Sequence, residues 1–100
     1  MKTRFLKPLK WIARKNCIIQ FYPRYRKYFI VRRFSRDHKY FEQCSSWQHV
    51  YQWQNSIQDA TFLDNLNDAI KLLAIARNNL VQEYGKAIRA YLFNKMLKKL

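Results

Sequence analysis

The chain has 100 residues, the length of one small domain, and carries 20 Lys and Arg side chains against six Asp and Glu. With 49% hydrophobic and 17% aromatic residues, its composition excludes a disordered chain and predicts a single folded basic domain over residues 1–100. The formal net charge of +14 destabilises a free protein by self-repulsion and is typical of chains that bind a polyanion.

The charge is segregated along the chain. Residues 1–40 carry thirteen cations and one acid, residues 41–70 carry four acids and no cation, and residues 71–100 carry seven cations and one acid. If the charge served solubility alone, cations and acids would be mixed along the chain. The pattern predicts a polyanion surface in the first part and a protein-assembly surface in the 41–70 segment.

Residues 1–16, MKTRFLKPLKWIARKN, predict a basic N-terminal arm that forms a short amphipathic helix. Phe5, Leu9 and Ile12 stand at helical spacing. Pro8 suits the first turn of such a helix and would break a longer one.

Residues 17–34 predict two β-strands, 17–22 and 25–34, joined by a turn at Pro23 and Arg24. A helix is disfavoured because Pro23 would remove a backbone hydrogen bond in its middle, whereas Ile, Val, Phe and Tyr favour strands. The stretch YFEQCS at 40–45 predicts a third strand, and the three would form an antiparallel meander.

The stretch SSWQHVYQWQNS, residues 45–56, leaves two structures open. Ser45 or Ser46 is a suitable cap for a helix, and the aromatic residues equally suit a fourth strand. In either structure the stretch is neutral, Gln-rich and aromatic. It therefore predicts a partner interface formed by Trp47, Tyr51 and Trp53.

Residues 59–84 give the clearest helical pattern, because apolar side chains recur every three or four residues from Leu66 to Tyr84. Acids are concentrated towards the N-terminal end, where the helix dipole favours them. Gly85 predicts the end of this helix. The apolar pattern resumes afterwards, so the last residues form either a second helix or a continuation of the first.

These elements predict an α+β fold: a short basic helix, a two- or three-stranded antiparallel sheet, and one or two C-terminal helices that brace it. The stretch TFLDNLNDAIKLLAIARNNLVQEYGK, residues 61–86, resembles the helix that closes AP2-type and integrase-arm DNA-binding domains. The resemblance implies a three-stranded sheet that lies on DNA, with one helix behind it.

The main candidate site is the stretch FYPRYRKYFIVRRF, residues 21–34, where cations interleave with rings and no acid occurs. Guanidinium groups bind phosphates through paired hydrogen bonds, and rings stack on unpaired bases. The structural alternative is a sheet whose rings pack on the long helix while its charges lie in water. The predicted nucleic-acid contacts are Arg14, Lys15, Arg24, Arg26, Lys27, Tyr28, Arg32 and Arg33.

Several features bear on the compartment. The stretch VRRFSR resembles a mitochondrial presequence with a cut between Phe34 and Ser35. No run of eighteen apolar residues predicts a transmembrane segment, and the start lacks the apolar core of a secretory signal. Cys17 and Cys44 are predicted to be reduced thiols. We therefore expect a cytoplasmic or nucleoid-associated protein, with the mitochondrion as the alternative.

Catalysis and metal binding have no basis in the sequence. His38 and His49 are not spaced as zinc ligands with the cysteines, and a single Gly excludes a Gly-rich phosphate loop. We expect a non-enzymatic protein, without cofactor or metal, that binds DNA or RNA within a nucleoprotein assembly. Two alternatives stay open: a structural accessory subunit of an organellar or membrane-associated complex, its basic arm on anionic lipid, and a phage- or mobile-element-coded modulator of a nucleic-acid enzyme.

Overall fold

The computed structural model describes residues 3–34, 37–45 and 47–99. These ranges form two helices and four strands in the order α–β–β–β–β–α. The elements are α1 (Thr3–Asn16), β1 (Cys17–Tyr22), β2 (Lys27–Phe34), β3 (Asp37–Ser45), β4 (Val50–Gln54) and α2 (Leu66–Lys98). A single 3-10 turn, Ile57–Asp59, lies between β4 and α2.

The strands form one antiparallel sheet in the order β1-β2-β3-β4, which confirms the α+β prediction and adds a strand to it. Of the two structures predicted for residues 45–56, the segment adopts the strand, as β4. β2 begins at Lys27 rather than at residue 25, because residues 23–26 form the turn. The predicted cut between Phe34 and Ser35 involves a residue outside the described ranges.

Both helices pack on one face of the sheet. Side chains alternate between the two faces of a strand, so every second residue points towards the helices. Cys17 of β1, Ile30 of β2 and Phe41 of β3 are fully buried on this face. The helices contribute Leu9, Ala13, Leu72, Ala76, Leu80 and Val81 to the same core.

The two helices run antiparallel to each other. Near the end of α1, the Arg14 carbonyl accepts a hydrogen bond from Arg77 of α2. Earlier in α1, Leu9 lines a small cleft with Tyr84 and Ile88, more than one turn further along α2. Pro8 lies in the middle of α1, where its side chain is exposed to solvent. The sequence predicts it in the first turn instead.

The opposite face of the sheet is covered by the chain between β4 and α2, where Phe62 packs with Phe29. Residues 61–63, which we call the wedge, lie between β2 and β3. Tyr28 and Leu63 exchange two backbone hydrogen bonds of 2.8 Å, and the Thr61 amide donates to the Phe41 carbonyl at 3.1 Å. β2 and β3 consequently pair directly only between residues 31–34 and 37–40.

α2 has 33 residues, about 50 Å at 1.5 Å per residue. It begins after Asn65, whose side chain accepts a hydrogen bond from the Asn67 amide. The predicted stop at Gly85 is wrong, and the alternative of a continued helix is confirmed. Gly85 is buried between Val81 and Ile88, on the side of α2 that packs against α1, so a missing side chain there permits close helix approach.

Candidate nucleic-acid interface

The predicted contact residues lie in three separate places. Arg14 and Lys15 are at the end of α1, the residues from Arg24 to Tyr28 are at the turn between β1 and β2, and Arg32 and Arg33 are near the other end of β2. The structure therefore does not bring them together into one site.

The exposed side of α1 carries three cations around an indole ring. Successive residues of a helix are about 100° apart, so the side opposite buried Leu9 and Ala13 faces solvent. Trp11 is 61% exposed there, and the Lys15 Nζ lies 5.2 Å from the centre of its ring. We call this surface the α1 outer face; it consists of Lys10, Trp11, Arg14 and Lys15.

A groove of about 570 Å³ separates the α1 outer face from α2. Lys10, Trp11 and Arg14 line one wall, and Arg77 and Asn78 line the other. The Arg77 guanidinium donates from Nε to the Cys17 carbonyl at 3.0 Å and from Nη2 to the Arg14 carbonyl at 3.2 Å. Sequence reasoning missed Arg77, because its cation is isolated within a helical pattern and its backbone partners are about 60 residues away.

The turn between β1 and β2 carries the second group of cations. The Tyr25 amide donates to the Tyr22 carbonyl and the Arg26 amide to the Pro23 carbonyl, both at 3.2 Å. Arg26 has a φ of 52°, in the left-handed region that most residues avoid. We call the exposed side chains of this turn the hairpin tip; they are Arg24, Tyr25 and Arg26.

Two predicted contacts beside the hairpin tip are engaged within the protein. Lys27 pairs with Asp64 at 3.4 Å. The Tyr28 ring meets the Phe21 ring edge-on, with 5.2 Å between centroids, and is only half-exposed. Tyr25, 53% exposed, is the ring that the tip presents most openly.

The α1 outer face and the hairpin tip lie at opposite ends of β1. β1 follows α1 without a break and has six residues, which span about 20 Å at 3.4 Å per residue. It is also an edge strand, so one of its backbone edges has no neighbouring strand in the sheet. Two exposed cationic groups thus flank one open edge.

Arg32 and Arg33 point to opposite faces of the sheet. The Arg32 side chain, 12% exposed, lies under α2, and its Nη1 is 3.3 Å from the Glu83 carboxylate. Its guanidinium stacks 5.0 Å from the centre of the Trp53 ring. Arg33 is exposed. Of this adjacent pair, only Arg33 is available to an external phosphate.

The predicted partner interface is divided in the same way. Trp47, in the turn between β3 and β4, is 80% exposed. Tyr51 and Trp53 instead pack against the core beside Phe41, and the Trp53 Nε1 donates to the Asn79 side chain at 3.1 Å. The sequence could not separate them, because either a helix or a strand was compatible with the segment.

Both cysteines are free thiols. Burial raises the pKa of Cys17 to about 12, although the nearby Arg77 and Arg32 act against this shift. Cys44 is exposed, and its Sγ donates to the Glu42 carboxylate at 3.1 Å, which raises the pKa of the thiol. Neither has the depressed pKa of a nucleophilic cysteine.

The described part of the chain has neither a group of metal ligands nor a membrane-spanning helix. In residues 3–34, 37–45 and 47–99, no three His, Cys, Asp or Glu side chains are grouped so that they could hold a metal ion. In the same ranges, no helix is both long and apolar enough to cross a bilayer.

Comparison of the chain with protein-family models, curated proteins and solved structures found no match in any of the three.

Proposed function

We propose that this protein is a non-enzymatic nucleic-acid-binding protein whose α1 outer face and hairpin tip contact phosphates. The observation that carries the proposal is the pair of exposed cation-and-ring groups at the two ends of β1. Both combine cations with an exposed ring, Trp11 in one and Tyr25 in the other. Cations recognise the nucleic-acid backbone, and rings recognise unpaired bases.

The availability of these charges supports the proposal. Lys27, Arg32 and Lys39 form ion pairs with carboxylates. Within the described ranges, no such pair involves the cations of the α1 outer face or the hairpin tip. Their positive charge is therefore uncompensated by the fold, and an external polyanion would relieve the resulting repulsion.

The length of β1 gives a scale for the bound nucleic acid. Base pairs in duplex DNA are about 3.4 Å apart, so the roughly 20 Å of β1 corresponds to about six base pairs. The exposed rings favour single-stranded segments, since a base can stack on Trp11 or Tyr25 only when it is unpaired.

The middle of the chain supports a role within a larger assembly. The Trp47 ring is unusually exposed for a domain that has no partner, and Val50, three residues further along, is also exposed. Both lie around the β3–β4 turn, at the other edge of the sheet from β1. In this arrangement a protein partner and a nucleic acid occupy opposite edges.

Titration of labelled oligonucleotides at several salt concentrations tests the proposal. Each lost phosphate contact lowers the slope of log K against log salt by about 0.9 on duplex DNA and about 0.7 on a single strand. Lys10→Gln with Arg14→Gln and Lys15→Gln should flatten the slope by about 2–3, and Arg24→Gln with Arg26→Gln by about 1–2. The control is Lys71→Gln with Lys86→Gln, two exposed cations elsewhere.

The control variant removes the same charge as the hairpin-tip variant and should change the slope much less. If all three variants reduce the slope in proportion to the charge removed, binding depends on net charge alone and the two surfaces are not a site. If none of them changes binding, or the unmodified protein binds neither DNA nor RNA, the proposed function is wrong.

A further inference from the structure

The last turns of α2 expose a dense group of large apolar side chains. Every residue of α2 from Arg89 to Lys98 is exposed, whereas the helix is buried on one side as far as Gly85. We call residues 91–99 the α2 tail. Its exposed fractions are 64% for Tyr91, 45% for Leu92, 57% for Phe93, 58% for Met96 and 49% for Leu97.

Most apolar side chains of the α2 tail lie on one side of the helix, and two of its three lysines lie on the other. At about 100° per residue, four apolar residues fall within one arc of about 140°. These are Leu92, Phe93, Met96 and Leu97. The opposite arc holds Lys95 and Lys98 with the Tyr91 ring between them, and Lys99 lies beside the edge of the apolar arc. A helix with such a separation is amphipathic, although here its apolar side faces solvent.

The charge around the α2 tail is of one sign. Glu83 is the last acid of the chain, and Lys86, Arg89 and the three lysines of the tail follow it. The surface that covers the tail must therefore be apolar and anionic together. We propose that the α2 tail binds an anionic lipid surface, with its apolar arc at the acyl boundary and its lysines on the headgroups.

Charge and geometry favour this occupant over others. A second copy of the chain packed on the apolar arc would leave the lysines of the tail without anionic partners and would add five like charges nearby. A nucleic acid would satisfy the lysines and leave Phe93 and Leu97 in water. A lipid surface satisfies both arcs, because a helix that lies in its plane buries the apolar side and keeps the cations among phosphates.

Co-sedimentation with vesicles tests this inference independently of nucleic-acid binding. The full protein should sediment with phosphatidylcholine vesicles that contain 30% phosphatidylserine, on the order of tenfold or more better than with pure phosphatidylcholine. Phe93→Ser with Leu97→Ser should weaken this binding at least about a hundredfold. Lys95→Gln with Lys98→Gln should weaken it by roughly thirtyfold. None of the four residues contacts the core, so circular dichroism and melting should be unchanged.

Two controls separate a built surface from general cationic attraction. Arg24→Gln with Arg26→Gln removes the same charge as the lysine variant, and Ile70→Ser removes an apolar side chain of α2 that is 51% exposed outside the tail. Both should bind vesicles as the unmodified protein does. Equal losses for the two charge variants, or no loss for the serine variant, would overturn the inference. So would capture of an acidic protein that requires Phe93 and Leu97 when the anionic vesicles bind nothing.

Discussion

The guanidinium carbon of Arg32 lies 5.0 Å from the centre of the Trp53 ring, so a cation of the second strand is stacked on an aromatic residue of the fourth. Glu83 of α2 completes the arrangement with an ion pair at 3.3 Å. These contacts join β2, β4 and α2 across the helix-covered face of the sheet.

Arg32→Gln should lower the free energy of unfolding by about 1–3 kcal/mol, because it removes both the stacked cation and the partner of Glu83. It should leave the salt dependence of nucleic-acid binding unchanged. The exposed neighbour provides the control, since Arg33→Gln should change stability by less than about 0.5 kcal/mol. Urea unfolding measures both values, and equal effects for the two variants would contradict the assigned orientation.

The position of Arg32 illustrates what the sequence could and could not provide. Alternation along a strand predicts that Arg32 and Arg33 face opposite ways, but it does not say which face the helices cover. That depends on the partners of the cation, Trp53 and Glu83, which are 21 and 51 residues away. The composition of the hairpin therefore indicates a binding site. It does not show which of the cations form contacts within the protein and are unavailable to a ligand.

Leu80→Ala should lower the free energy of unfolding by about 2–5 kcal/mol, because Leu80 is fully buried in the core. Leu73 belongs to the same apolar stripe of the sequence but is only partly buried, so Leu73→Ala should cost less. Ile75→Ala, at a side chain that is 38% exposed, serves as the control with a smaller loss still. Thermal and urea unfolding test this order, which a stripe facing a partner would not produce.

Arg26→Gly should raise the free energy of unfolding by up to about 1 kcal/mol, because a left-handed backbone costs about that much for a residue with a side chain. The same change should weaken nucleic-acid binding, since a cation of the hairpin tip is lost. Arg24→Gly is the matched control. Its φ is not positive, so glycine there should destabilise the protein by about 0.5–1 kcal/mol. A loss of stability in Arg26→Gly would contradict this account of the turn.

Alkylation of the native protein should modify Cys44 and spare Cys17, because only Cys44 is exposed. The hydrogen bond to Glu42 raises the pKa of the Cys44 thiol, so Glu42→Gln should make its reaction near neutral pH faster. Mass spectrometry of unreduced protein should show one label under native conditions and two after denaturation. A mass two daltons low, without labels, would instead reveal a disulfide.

The stability of the protein should decline above pH 9. Burial raises the pKa of Cys17 from 9.0 to about 12, so between these values the unfolded thiol releases its proton while the folded one retains it. At pH 10 this difference favours unfolding by roughly 1–2 kcal/mol. Cys17→Ala should lose less stability between pH 8 and pH 10 than the unmodified protein, whereas Cys44→Ala should keep most of the loss. Identical pH dependence in all three would contradict the buried position of Cys17.

Local patterns predicted the helices and hairpin more closely than the closure of the sheet. The bounds of β1 agree with the prediction, and periodic apolar residues marked α2. The wedge was not predicted, because residues 61–63 have no strand-like alternation and gain their hydrogen bonds from distant partners. The predicted helix end at Gly85 was wrong for a similar reason. Glycine favours a helix end locally, but here Gly85 is buried on the side of α2 that packs against α1, and the helix continues.

The wedge also constrains the order in which the molecule can form. Because residues 61–63 provide the hydrogen-bonding neighbour of β2 near Tyr28, the four strands cannot complete their sheet from their own residues. Forming that contact closes a loop of about 35 residues between Tyr28 and Leu63. The chain loses the conformational entropy of this loop before the contact stabilises the fold. A nascent chain that stops before residue 60 should therefore remain without stable structure, and the complete chain should fold in one cooperative step.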